Sequence, residues 1–159
     1  MNKTCIITGA TDGIGKQTAL ELARKGFSLG LVARNLKKGE SVVSDLIAET
    51  GNDCIRFFGA DLSSMKSVYK LAEEIQQEYD SLDVLVNNAG AYFSELAFSD
   101  EKLENTFAVN HLSYFYLTLL LLDMVKCETG GRVINVASMA HKRAKLDFYD
   151  LQMKQNFKG

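Results

Sequence analysis

Thr8-Gly9-Ala10-Thr11-Asp12-Gly13-Ile14-Gly15 stands between an apolar β-like run at 3–8 and a helical pattern that places Ile14, Thr18 and Leu22 on one face. Three glycines at a strand-to-helix turn have a physical use. The first turn of a helix carries unpaired main-chain N–H groups and the positive end of the helix dipole, and residues without Cβ let a diphosphate come close to them. Gly9, Thr11, Asp12, Gly13, Ile14 and Gly15 are therefore candidate cofactor-binding positions. The competing reading is a glycine-rich turn that only packs helix on strand. A Walker-type phosphate loop does not fit, because the interval from Gly9 to Gly15-Lys16 is one residue too long and Gln17 stands where a magnesium-ligating Ser/Thr is needed.

Outward from this turn, short apolar runs bounded by turn residues recur at 27–33, 53–58, 82–86 and 132–136, which with 3–8 makes five strands. Helical stretches lie between them. The clearest carries Met65, Val68, Leu71, Ala72, Ile75 and Tyr79 at steps of three and four, with Ser63 or Ser64 as its cap. Strict alternation of strand and helix predicts parallel strands joined by right-handed crossovers. The expected fold is α/β, a doubly wound parallel sheet (Rossmann fold) in three layers, α/β/α, as a single domain over 1–159. The 21 residues after Ser138 have no clear period and read as a loop.

Composition narrows the function classes. At 159 residues the chain has room for one domain, and 47% hydrophobic with 24% charged residues is the globular norm. A net charge of −2 without a basic run argues against a nucleic-acid partner. Cys5, Cys54 and Cys127 form no Cys-x-x-Cys pair, so no metal site is expected and reduced structural cysteines are. No signal-peptide pattern follows Met1, which gives a cytoplasmic expectation. The apolar stretch 112–122 is 11 residues long, short of the ~20 of a membrane span, and reads as a buried helix segment.

Arg34 stands nineteen positions beyond Gly15, at the end of the second strand, where an acidic residue would meet the ribose hydroxyls of NAD(H). A guanidinium there can grip a 2′-phosphate with two parallel hydrogen bonds, which favours NADP(H) over NAD(H). Lys38, one helical turn on, adds a second cation; an exposed arginine at a helix start is the bland alternative. After the third strand, Asp61 is placed either to accept from an adenine amino group, with Leu62 near the ring, or to serve as a turn residue. Asn87-Asn88-Ala89-Gly90 closes the fourth strand with small residues that admit a ligand to the main chain, or with a turn of purely structural use. Asn88, Ala89 and Gly90 join the cofactor candidates.

Taken together, the Thr-Gly-x-x-x-Gly-x-Gly turn, Asp61, Asn87-Asn88-Ala89-Gly90, an Asn in the next long helix and a Ser after the fifth strand resemble the short-chain dehydrogenase/reductase family. Ala33-Arg34 with Lys38-Gly39-Glu40, Val109-Asn110-His111-Leu112 and Ile134-Asn135-Val136-Ala137-Ser138-Met139-Ala140-His141 are similar to its retinol-dehydrogenase-like branch. The resemblance implies an NADP(H)-dependent oxidoreductase acting on a small-molecule alcohol/carbonyl pair, with an apolar substrate. It further implies that Asn110 holds a water for proton relay and that Ser138 hydrogen-bonds the substrate oxygen. Asn110 interrupts an apolar helix, where an unpartnered amide would be costly, so a partner is expected.

The family's acid/base is the tyrosine of Tyr-x-x-x-Lys, and that motif does not occur in these 159 residues. Tyr149 has Met153 four places on and Lys154 five places on, the latter ~140° around a helix. The stretch 146–159 is similar to an insertion that precedes the tyrosine in the retinol-dehydrogenase-like branch, so the sequence reads as truncated after the fifth strand and inactive as it stands. Helix 112–122, apolar all round, would then promote a homo-oligomer or association. The alternative from another class is a non-catalytic dinucleotide-binding or interaction module that uses this helix to bind a partner.

Overall fold

A computed structural model describes residues 3–125, 130–143, 145–155 and 157, so Cys127 and Gly159 lie outside the described residues. Five strands, β1 (Thr4–Thr8), β2 (Ser28–Ala33), β3 (Ile55–Gly59), β4 (Val84–Asn87) and β5 (Arg132–Asn135), form one sheet in the order β3-β2-β1-β4-β5. Every pairing is parallel. The chain winds outward from β1 first through β2 and β3, then through β4 and β5. The order thus reverses between β1 and β4, which opens a crevice above their carboxyl ends.

Helices α1 (Gly13–Arg24) and α2 (Leu36–Thr50) cover one face; α3 (Met65–Glu78) and α5 (Ser113–Val125) cover the other. Successive strand residues point to opposite faces, so Cys5 and Ile7 join Ala19, Ala23, Val42 and Leu46 in one core. Ile6 joins Val68, Leu71, Ile75, Leu117 and Leu121 in the other. Strands buried on both sides must be apolar at consecutive positions, which is why the run Cys5-Ile6-Ile7 shows no alternation.

Local bonding moves the boundaries. β3 starts at Ile55, because the Asn52 side-chain oxygen accepts from the Cys54 N–H at 3.0 Å and holds the preceding residues in a turn. Ser64 caps α3 by accepting from the Ser67 N–H at 3.3 Å, whereas Ser63 bonds to Asp61. The expected face of α1 needs correction: Ile14 is 67% exposed, and the buried line is Gly15, Ala19 and Ala23. Small residues win there because the helix start lies too close to the β1 turn to admit a branched side chain.

Two further expectations are revised. After Ser138 the chain forms a 3₁₀ turn over Met139–Arg143 rather than an unbroken loop. The 112–122 stretch belongs to a continuous helical run, Asn105–Val125, made of α4 (Asn105–Phe107), a π turn (Ala108–Leu112) and α5. Its 21 residues are long and apolar enough to cross a membrane by length and composition alone. In this fold only one side is buried, at Ala108, Ser113, Leu117, Leu121 and Val125. Phe115 and Leu119 are 59% and 51% exposed, so the stretch is not a wholly buried segment.

Candidate functional site

At the crevice, the turn after β1 is bonded to the turn after β4. Thr8 is buried, and its hydroxyl oxygen accepts from the N–H groups of Asn88 (2.9 Å) and Ala89 (3.0 Å). The Asn88 side-chain amide donates back to the carbonyls of Thr8 (2.9 Å) and Gly9 (3.2 Å). Gly9 has φ +67° and its N–H donates to the Val32 carbonyl at 2.8 Å; a Cβ there would stand 2.7 Å from the Ala89 Cα. A Cβ on Gly15 would collide with the Gly9 carbonyl and the Asn88 amide. Gly13, at φ +48°, has open space around it. Asp12 caps α1, its Oδ1 accepting from the Gly13 N–H at 2.9 Å.

These turns wall a cleft of about 790 Å³ that gathers eleven of the predicted cofactor residues: Gly9, Thr11, Asp12, Gly13, Arg34, Lys38, Asp61, Leu62, Asn88, Ala89 and Gly90. Ile14 and Gly15 are not among its lining residues; Gly15 is spent on packing and Ile14 faces outward. Asn35, Ser63, Phe93, Asn105 and Val109 also line it; of these, Ser63 stood out in the sequence only as a possible cap and Val109 only within a family motif. Arg34 is exposed and in no ion pair among the described residues, but Lys38 Nζ lies 2.8 Å from Asp12 Oδ2. The bonds from Lys38 and then from the Gly13 N–H hold the Asp12 carboxyl below the usual carboxylate range. Asp61 is a turn residue as well as a lining residue, its Oδ1 accepting from the Ser63 N–H and hydroxyl at 3.0 and 2.8 Å.

A second cleft, of about 720 Å³, adjoins the first through Gly90, which lines both. Asn110 and Ser138, the two predicted catalytic residues, lie on it together with Tyr114, Phe115, Leu119 and Val136. Asn110 sits in the π turn and has the expected partner: its Oδ1 accepts from the Ala91 N–H and its Nδ2 donates to the Ala91 carbonyl, each at 2.8 Å. Tyr114 donates its hydroxyl to the Ala89 carbonyl at 2.7 Å, and partial burial raises its pKa above the ordinary phenol value. Ser138 Oγ accepts from the Ala140 N–H at 3.1 Å, which leaves its own O–H proton to give. Tyr149 is fully exposed and lines neither cleft. Among the described residues no group of His, Cys, Asp and Glu could hold a metal ion.

Comparison with known proteins agrees with this architecture. The family model for short chain dehydrogenase matches residues 3–148. Human (Homo sapiens) retinol dehydrogenase 13 is 44% identical over 94% of this chain and 45% of its own length. A crystal structure of a protein from Mycobacterium Paratuberculosis superposes with a TM-score of 0.84 at 32% identity, covering 98% of this chain and 53% of that one. The alcohol dehydrogenase of the archaeon Thermococcus sibiricus, solved with 5-hydroxy-NADP, gives a TM-score of 0.72 at 31% identity, over 84% of this chain and 57% of that one. The chain spans about half the length of the curated relatives it matches. From its ordered turn motifs, its doubly wound sheet and a family match that runs nearly end to end, the chain belongs to the short-chain dehydrogenase family and is retinol-dehydrogenase-like in sequence.

Proposed function

We propose that this chain supplies the NADP(H)-binding half, and one side of the substrate cleft, of an oxidoreductase acting on an apolar alcohol/carbonyl pair. The observation that carries the reading is the meeting of the two clefts at Gly90, with the glycine turn on one side and Ser138 on the other. The residues present fit a dinucleotide: Gly13, with open space around it, keeps the α1 start open to a diphosphate, and the exposed Arg34 is available to a 2′-phosphate. Asp61 and Leu62 line the same cleft, in keeping with an adenine held beside them. When bound, a nicotinamide dinucleotide supplies or accepts hydride.

The protein's own part is to orient and to donate. Ser138 gives its hydroxyl proton as a hydrogen bond to a substrate oxygen, while the Ala140 N–H fixes its Oγ. Asn110 commits both ends of its amide to Ala91 and so fixes the floor shared by the clefts. Phe115, Leu119 and Val136 offer an apolar wall, in keeping with relatives named retinol dehydrogenase. With Tyr149 away from both clefts, neither cleft is lined among the described residues by a tyrosine together with a lysine to serve as acid/base, so turnover by these 159 residues should fall by about 10²–10⁴-fold.

Calorimetric titration with NADPH and NADH tests the reading. NADPH should bind more tightly, and Arg34→Asp should reverse the preference by about 10–100-fold, the worth of a charged hydrogen-bond pair. Unchanged affinities in that variant would remove Arg34 from the site. Silence toward both nucleotides in a folded sample would leave the non-catalytic interaction module as the better account.

A further inference from the structure

The two cations assigned to a 2′-phosphate are in different states. Arg34 is in no ion pair among the described residues, whereas Lys38 reaches from α2 across the cleft mouth to the carboxylate that caps α1. We infer that Asp12 is a specificity-setting residue: its carboxylate occupies Lys38 in place of the ligand's 2′-phosphate, which must displace it on binding. This rests on the proposed NADP(H) reading and says how that site is tuned.

Each residue in the contact has a definite duty. Asp12 Oδ1 is used for the cap on the Gly13 N–H, and Oδ2 takes Lys38 Nζ at 2.8 Å, so one carboxylate serves both helix and lysine. Lys38 itself is set by Asn35, whose Oδ1 accepts from the Lys38 N–H at 3.0 Å. Its ammonium therefore projects from the first turn of α2, on the wall it shares with Arg34. Lys16, the other cation near Asp12, lies 3.8 Å from Asp45 across the α1–α2 seam and is not a lining residue of the cleft.

Both partners are open to solvent, with side-chain exposures of 47% for Lys38 and 86% for Asp12. An exposed ion pair is a weak latch. A phosphate monoester carries close to two negative charges at neutral pH against the one on Asp12, so it can win the lysine at modest cost. Asp12 also places a negative charge near the diphosphate, but that repulsion acts on phosphorylated and unphosphorylated riboses alike. Its direct repulsion of a 2′-phosphate adds to the discrimination, but only the competition for Lys38 depends on that lysine.

Adenosine 2′,5′-bisphosphate and 5′-AMP isolate that difference, titrated by calorimetry into the wild type, Asp12→Asn, Lys38→Ala and the double variant. Asparagine caps a helix as well as aspartate, so the fold of Asp12→Asn should hold, and Asp12→Ser provides a second capping variant. Asp12→Asn should tighten the bisphosphate relative to 5′-AMP by about two- to fivefold, the worth of an exposed pair. In the Lys38→Ala background the same substitution should change the ratio less, because the share that runs through the lysine is gone. Equal effects on both nucleotides, or a gain undiminished by loss of Lys38, would overturn the inference. The wild-type ratio judges the underlying reading separately: if the bisphosphate binds no more tightly than 5′-AMP, NADP(H) preference itself fails whatever Asp12 does, whereas an unchanged ratio in Arg34→Ala removes only Arg34.

Discussion

Around the dinucleotide cleft the chain bonds its own turns to one another, whereas the cleft beneath Ser138 is bounded by groups that still face solvent. On the first side Thr8, Asn88, Gly9 and Gly15 interlock, so that a Cβ on Gly9 or Gly15 would clash. On the second, Phe115, Leu119, Val136 and Ser138 line a cleft whose helix keeps an exposed apolar face, beside the edge strand carrying Ile134 at 46% exposure. The contrast teaches that a cleft can be closed by strand ends and helix starts bonded across the switch between β1 and β4.

The strongest way to break the comparison is to disturb the interlock. Gly9→Ala forces a side chain into φ +67° and sets its Cβ 2.7 Å from the Ala89 Cα. Backbone strain and overpacking together should cost about 2–5 kcal/mol in urea unfolding. Nucleotide binding should fall with it, since the displaced Ala89 N–H is one of the two held by Thr8. A Gly9→Ala protein of native stability that binds NADPH normally would show that the tight approach is not needed.

Next in size is the tether that holds the β4–α4 loop against α3. Glu101 accepts from the Met65 and Lys66 N–H groups at 2.8 and 2.9 Å and from the Ser64 hydroxyl at 3.1 Å. Those main-chain bonds, Lys66 first, hold its carboxyl below the usual range. A carboxyl lowered in the folded state stabilises it above the unfolded pKa of about 4.3, and that contribution is lost as pH falls through the lower folded value. Glu101→Gln should therefore cost at most about 1 kcal/mol at neutral pH, as a helix-cap loss does, and nothing once the wild-type carboxyl is protonated. A stability gap between the two proteins that stays constant down to acid pH would dissociate the tether from charge.

Much of the first region could be read from residue order, because its determinants are local. All five strands, the α3 stripe and a serine cap follow from short-range pattern, and eleven cofactor candidates come together in one cleft. What escaped the reading depends on partners far along the chain. Thr8 gains its role from main chain 80 residues away, and Lys38 meets a carboxylate 26 residues before it. Phe93, on the β4–α4 loop, and Asn105, the first residue of α4, reach the cleft through Glu101 and a bridge between Phe98 and Glu104, neither of which leaves a periodic trace. The α1 face was misjudged because hydropathy favours Ile14 while steric closeness favours Gly15.

The smallest effect on stability sharpens the contrast from the other side. Leu119 is 51% exposed on the face of α5 that no described residue covers, while Leu117 and Leu121 point into the core. Leu119→Lys should change unfolding free energy by no more than about 0.5 kcal/mol, because it leaves core packing intact. Sedimentation should nonetheless report less self-association, since a charge interrupts a contiguous apolar face. If association persists undiminished, the uncovered edge of β5 becomes the sticky element, because an unpaired strand edge recruits other chains through its main chain, which a helix substitution cannot touch.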